Sequence, residues 1–131
     1  MTRLNRSLVL AITLGLGLPA IAAAQGSGFT VDNALAARGK TAYGKYGCVS
    51  CHSFGKRGAG PDLVGVEQRR STEWLQHWLK DTRGMLETDS TAKALLVEYK
   101  GVKMPQFKLT DEDINGLIHY IAQESHKKSG K

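Results

Sequence analysis

The sequence predicts an all-α domain of about four helices joined by long loops. Three observations carry that prediction. Apolar residues recur at helical spacing in several segments. These segments open on Asp, Ser or Thr residues suited to capping a helix. The stretches between them are rich in glycine and show neither a helical period nor the strict alternation of a strand.

The chain begins with a segment of a different kind. Arg3 and Arg6 form a basic start, "SLVLAITLGLGL" is apolar, Pro19 breaks it, and Ala22 and Ala24 offer small residues before Gln25. This pattern is that of an export signal, so residues 1–24 are expected to be removed and residues 25–131 to form the domain. The alternative is a retained anchor, but the apolar run is short for a span, contains glycines, and ends at a proline. The expected location is the periplasm of a bacterium, with no stable membrane span after cleavage.

Asp32 caps the first helix, "NALAARGKTAYGKYG", in which Ala34, Leu35, Arg38, Tyr43 and Tyr46 fall at helical spacing. Gly39 lies inside it at a cost of about 1 kcal/mol, which implies close packing there. "SFGKRGAGPDLVGV" has no period and reads as a loop. Ser71 caps the second helix, with Glu73 in its first turn and Trp74, Leu75, Trp78 and Leu79 on one face. A third helix is expected over Ser90–Tyr99, with Ala94, Leu95 and Tyr99 available for burial. Gly101 stops it, and Pro105 prevents a restart in "KGVKMPQFK". Thr110 caps the last helix, "DED" loads its start with negative charge, and Ile114, Leu117, Ile118 and Ile121 form its apolar stripe.

Formal net charge is +6, and Arg3 and Arg6 account for two of those charges. The remainder is a mildly basic surface, able to steer an acidic protein partner. An aromatic-basic pattern for nucleic acid is missing, so no nucleic-acid partner is expected.

Only two cysteines occur, and both sit in "CVSCH", Cys48 to His52. A structural zinc site needs four ligands, usually from two separated pairs, and the second pair is missing. A redox dithiol of the C-x-x-C type belongs to a βαβ setting, which this chain does not predict. A plain disulfide closes too small a loop to stabilise much and leaves His52 without a role. The remaining reading is covalent haem attachment, the meaning of C-x-x-C-H. Two thiols one turn apart reach two vinyl groups on one porphyrin edge and form thioethers. The next residue then presents its imidazole to the iron.

With "GKTAYGKYGCVSCH", "GPDLVGV", "GVKMPQF" and "TDEDINGLIHYIA" the chain resembles the class I monohaem c-type cytochromes over essentially all of residues 25–131. The resemblance implies a cytochrome c-like fold around one covalent haem c held by Cys48 and Cys51. It implies His52 as the proximal ligand, Pro61 as the carbonyl orienting that histidine, and Met104 as the distal ligand. It also implies that Gly39 and Tyr43 cross Gly116 and Tyr120 where the first and last helices meet. The motif follows the first helix, unlike that of the four-helix-bundle c-type cytochromes, which lies near the C-terminus.

Met104 has support of its own, because Pro105 stiffens the chain beside it. Met85, the other methionine after Met1, is expected to fill a core gap. Trp74 and Trp78 can cover the haem edge and offer an indole N–H to a propionate, and Arg69 or Arg70 can neutralise its charge. His77, His119 and His126 read as surface or internally satisfied histidines.

The function expected from this set is single-electron transfer between transiently docked redox proteins, without catalysis. The electron would cross an exposed haem edge near Cys48, Cys51 and the loops around Phe54 and Met104. The alternatives are an electron-entry subunit of a larger oxidoreductase, or a haem enzyme or gas sensor whose iron keeps an open position.

Overall fold

A computed structural model describes residues 28–130; the expected export signal lies outside the described residues. Six α-helices and a 3-10 turn are present, and no strand occurs among the described residues. The helices are α1 (Asn33–Lys45), α2 (Val66–Arg69), α3 (Thr72–Lys80), α4 (Thr82–Thr88), α5 (Ser90–Glu98) and α6 (Asp111–Ser129). The four expected helices correspond to α1, α3, α5 and α6.

Each of those four starts as its cap chemistry requires. The Asp32 carboxylate accepts from the amides of Ala34 and Leu35. The Ser71 hydroxyl accepts from Trp74 N–H. Thr110 forms a reciprocal capping box with Asp113. Asp89 caps α5 through the Ala92 amide.

Two helices were not expected. Before α4, Asp81 serves both as the C-terminal cap of α3 and as the N-terminal cap of the next helix, accepting from Gly84 N–H at 2.9 Å. A methyl group on Gly84 would strike that carboxylate, so the glycine belongs to the cap. Asp89 repeats the double role between α4 and α5. One-residue junctions of this kind leave no loop for a sequence pattern to reveal. The other, α2, is a single turn inside the expected loop, entered through Gly65 in the left-handed region (φ 70°).

The centre of the fold is the crossing of α1 and α6. The buried face of α1 is Ala36, Gly39, Ala42 and Tyr43. Of the residues noted at helical spacing, Tyr43 is buried, Leu35 and Tyr46 are half-buried, and Ala34 and Arg38 are exposed. A side chain on Gly39 would overlap the Gly116 carbonyl, and one on Gly116 would come within 2.9 Å of Gly39 N. Two glycines thus let the helix backbones touch, and helical entropy is the cost.

On one side of this crossing, Ala42, Tyr43 and Leu117 form a buried cluster joined by Phe54, Leu63 and Tyr120. On the other, Leu75, Ile114 and Ile118 are joined by Phe29, Val66 and Trp74. Met85 is 2 % exposed and packs in the core, as expected. In α5 the buried residue is Ala92, whereas the expected Ala94 is exposed and Leu95 and Tyr99 are half-buried.

Candidate functional site

Helices α1, α3, α5 and α6 and the loops that carry Pro61 and Met104 surround a cavity of about 460 Å³. That volume is typical of a small-molecule or cofactor site. Its wall is mainly apolar, with Leu75, Leu79, Leu95, Leu96, Leu117 and Ile118 prominent. Leu79, Leu95 and Leu96 are half-buried because they face this cavity, whereas Leu75, Leu117 and Ile118 also pack in the buried clusters.

Gly47 lies beyond the end of α1 and adopts the left-handed conformation (φ 68°), which turns the chain into the 3-10 turn Cys48–Ser50. In a 3-10 turn, residues three apart eclipse each other. Cys48 and Cys51 are such a pair, closed by the Cys51 N–H to Cys48 carbonyl bond of 3.2 Å. Both line the cavity as free, half-buried thiols. Burial pushes the Cys48 thiol above its usual range, with Cys51 nearby adding to the effect against an opposing backbone hydrogen bond.

His52 follows at once and is held from three directions. Its Nδ1 lies 2.8 Å from the Pro61 carbonyl oxygen. A carbonyl can only accept, so Nδ1 carries the proton and Nε2 keeps its lone pair for a metal. The Tyr43 hydroxyl donates to the His52 carbonyl at 3.0 Å. Gly60 lies flat against the imidazole; a Cβ there would come within 2.5 Å of Cε1. The loop behind is fixed by Asp62, whose carboxylate accepts from the Gly55 and Val64 amides.

Tyr43 belongs to an aromatic cluster with Phe54 and Tyr120, at centroid distances of 5.7 and 5.4 Å. Burial raises its phenol pKa to about 12, with smaller contributions from Cys48 and Tyr120.

Met104 lines the same cavity, in the irregular segment between α5 and α6, while Met85 does not. The Trp78 indole N–H donates to the Met104 sulfur at 3.2 Å. Trp74 stacks on Trp78, with centroids 5.5 Å apart and planes inclined by 8°. Its own Nε1 is buried without a partner, as is Glu67 Oε2. Arg70 stands over the Trp74 ring at 5.5 Å. Arg69 instead folds back to the Val64 and Asp62 carbonyls and braces the loop.

The expected residues Cys48, Cys51, His52, Pro61 and Met104 therefore all border one cavity. Gly60, the Tyr43 hydroxyl contact and the Trp78–Met104 bond were not legible beforehand. The histidines outside the cavity behave as expected. His77 and His126 are exposed, and His119 Nδ1 accepts from the Asp32 amide at 3.0 Å. Among the described residues no group of three or more His, Cys, Asp or Glu is placed to hold a metal ion.

The residues fit a haem. The wall is apolar, two thiols and an imidazole whose Nε2 keeps its lone pair meet at its edge, and the unpartnered Trp74 N–H suits a propionate oxygen. A helical shell of this kind, with paired thiols and an adjacent imidazole, defines a protein that binds one covalent haem c.

Comparison with known proteins gives the family. The model of the cytochrome c family matches residues 36–125, and the chain belongs to that family. A cytochrome c from Rhodothermus marinus is 26 % identical, with a TM-score of 0.70, covering 92 % of this chain and 91 % of that one. An engineered form of that cytochrome, bound to a carbene intermediate, is 25 % identical over the same shares, with a TM-score of 0.65. The cytochrome c domain of the pp3183 protein from Pseudomonas putida is 35 % identical, with a TM-score of 0.62, covering 70 % of this chain and 91 % of that one. No curated protein sequence matches the chain.

Proposed function

We propose that this chain is an exported, periplasmic electron carrier rather than an enzyme, with His52 and Met104 as the two axial ligands of its haem. Residues 1–24 direct export, and residues 25–131 form the carrier. When bound, the haem supplies a one-electron Fe(III)/Fe(II) couple.

Cys48 and Cys51 tether the group at the turn after α1. His52 offers Nε2 while Pro61 holds Nδ1, so the ring keeps one orientation in both oxidation states. Met104 offers a thioether from another wall of the cavity. Both ligands sit on braced segments, which keeps reorganisation small. The apolar lining disfavours the extra charge of the ferric form and so raises the potential.

The half-buried Cys48 and Cys51 mark the edge where the electron crosses. Contact with donor and acceptor there is brief and small in area, as in other redox encounters. The basic surface favours acidic partners. No described helix is long and apolar enough to cross a membrane.

The observation that carries this reading is the presence of Met104, and not Met85, on the cavity that His52 also lines. It is tested by the red-region Fe(III)–sulfur charge-transfer band of the oxidised protein. Met104→Ala should abolish the band and let the reduced protein bind carbon monoxide, while Met85→Ala should keep the band. Loss of the band in Met85→Ala, or its survival in Met104→Ala, overturns the ligand assignment.

A second reading is a haem protein whose iron keeps an open position. The engineered relative that holds a carbene favours it. Ready carbon monoxide binding by the unaltered protein would select this reading.

A further inference from the structure

We propose that Glu67 couples a proton to the electron that this protein carries. Its carboxylate takes up one proton from solvent when the haem iron is reduced and releases it when the iron is oxidised. The inference rests on the reading of the chain as an electron carrier and adds a proton to what it moves.

Glu67 is the buried residue of α2 and is 6 % exposed. An unpaired carboxylate seldom stands so deep, because taking the charge out of water is costly. Among the described residues two buried side-chain polar atoms lack a partner, Glu67 Oε2 and Trp74 Nε1, and both residues line the haem cavity. Gln68 Nε2 donates to the other carboxyl oxygen at 3.3 Å. Helix α2 is fixed at both ends, so the carboxyl stays in the wall. Gly65 N–H donates to the buried Ser125 hydroxyl at 2.9 Å, and Arg69 donates to the Val64 and Asp62 carbonyls. On its outer side Glu67 also borders a hollow lined by Phe29, Gln68, Arg70, Ser71 and Thr72. Gln68 and Ser71 are exposed, so this hollow gives a proton a way in from solvent.

None of the ion pairs among the described residues includes Glu67. On its own helix Arg69 braces the loop, and Arg70 stands over the Trp74 ring and donates to the Arg69 carbonyl. On α6, which packs against α2, Glu124 pairs with Lys127, His119 accepts from the Asp32 amide, and His126 and Lys128 are exposed. On the preceding loop Asp62 accepts from two amides, and Glu73 at the start of α3 is exposed.

A ferric haem core carries one more positive charge than a ferrous one. The Glu67 carboxylate is therefore favoured beside the oxidised group and disfavoured beside the reduced one. On reduction one electron comes from the donor, one proton comes from solvent, and one O–H bond forms on the carboxyl. Oxidation breaks that bond and returns the proton. By linkage the reduction potential falls as pH rises through the range in which Glu67 titrates. The limiting slope is about tenfold in the Fe(II)/Fe(III) ratio per pH unit, or about 59 mV.

The test measures the potential of the haem-loaded protein from about pH 4 to pH 9, beside Glu67→Gln, which keeps the shape and has no proton to lose. Across that range the Fe(II)/Fe(III) ratio of the unaltered protein at a fixed electrode potential should fall about tenfold, or about 59 mV. In Glu67→Gln it should stay flat, close to the acid limit of the unaltered protein. Redox-difference infrared spectra of the unaltered protein, grown with carboxyl-labelled glutamate, give a second reading that does not depend on how the variant folds. A carboxylic acid C=O band should appear on reduction and shift with the label.

A potential independent of pH in the unaltered protein overturns the inference. So does a slope that survives undiminished in Glu67→Gln, or an infrared band that ignores the label, since the proton then sits on a haem propionate or another group. A protein that holds no haem removes the carrier reading itself, and the inference with it.

Discussion

Replacing Gly39 with alanine sets two effects of opposite sign against each other. Inside a helix alanine is favoured over glycine by about 0.8–1.0 kcal/mol, so α1 in isolation would gain. In the fold, the added methyl overlaps the Gly116 carbonyl and comes within 2.8 Å of Leu117 N. These are backbone atoms of α6, and no rotamer change can move them aside. Relief requires the helices to part along Ala36, Ala42 and Leu117, all of which are buried. Forced expansion of a packed core costs about 1–3 kcal/mol, sometimes more, and a backbone clash belongs at the upper end. Subtracting the helical gain leaves a net loss of about 2 kcal/mol. For a domain of this size that lowers Tm by roughly 8–16 °C. Gly116→Ala should cost less, because its nearest contacts lie at 2.9–3.2 Å. Thermal unfolding of the haem-loaded variants, followed by far-ultraviolet circular dichroism, measures both. An unchanged or raised Tm for Gly39→Ala would refute the argument, since helix propensity would then have outweighed the crossing.

Two further outcomes follow from the same contacts. Thr110→Ala removes the hydroxyl that accepts from Asp113 N–H and should cost about 1 kcal/mol in denaturant unfolding. Tyr43 keeps its proton to about pH 12 in the folded state, against an ordinary value of 10.0. The folded protein therefore holds more protons than the unfolded chain across that interval. Stability from this group is complete below pH 10 and is lost as pH rises towards 12. After allowance for solvent screening the loss is on the order of 1–2 kcal/mol. Tyr43→Phe should flatten that part of the pH–stability curve; an identical slope in both proteins would contradict the assignment.

The elements that could be read in advance are those with both a cap and a stripe. Ser71 with the Trp74–Leu79 face, and Thr110 with the Ile114–Ile118 face, announced α3 and α6 in this way. The turns at α2 and α4 carry no stripe, and Asp81 and Asp89 each end one helix while starting the next. The buried face of α1 did not stand out because most of its contact residues are small. Alanines and a glycine give little hydrophobic signal, although they let the backbones of α1 and α6 come together.

At the site, the cysteine pair and His52 were legible because spacing along the chain fixes their chemistry. The roles of Pro61 and Met104 came from resemblance, and the structure adds that both border the cavity with His52. Gly60, the Tyr43 hydroxyl and the Trp78 indole act across the fold. Their partners are the His52 ring, a carbonyl nine residues away and a sulfur 26 residues away, and no local pattern encodes such pairings.

The central claim is that Cys48 and Cys51 bind one haem through sulfur while His52 and Met104 cap its iron. Acid–acetone extraction of the protein matured in a host competent for haem attachment tests it most directly, with absorption spectra taken in both oxidation states. The account predicts pigment that stays with the polypeptide, one haem per chain by mass, and a red-region Fe(III)–sulfur band in the oxidised spectrum. A colourless product, or pigment released into the solvent, would contradict it.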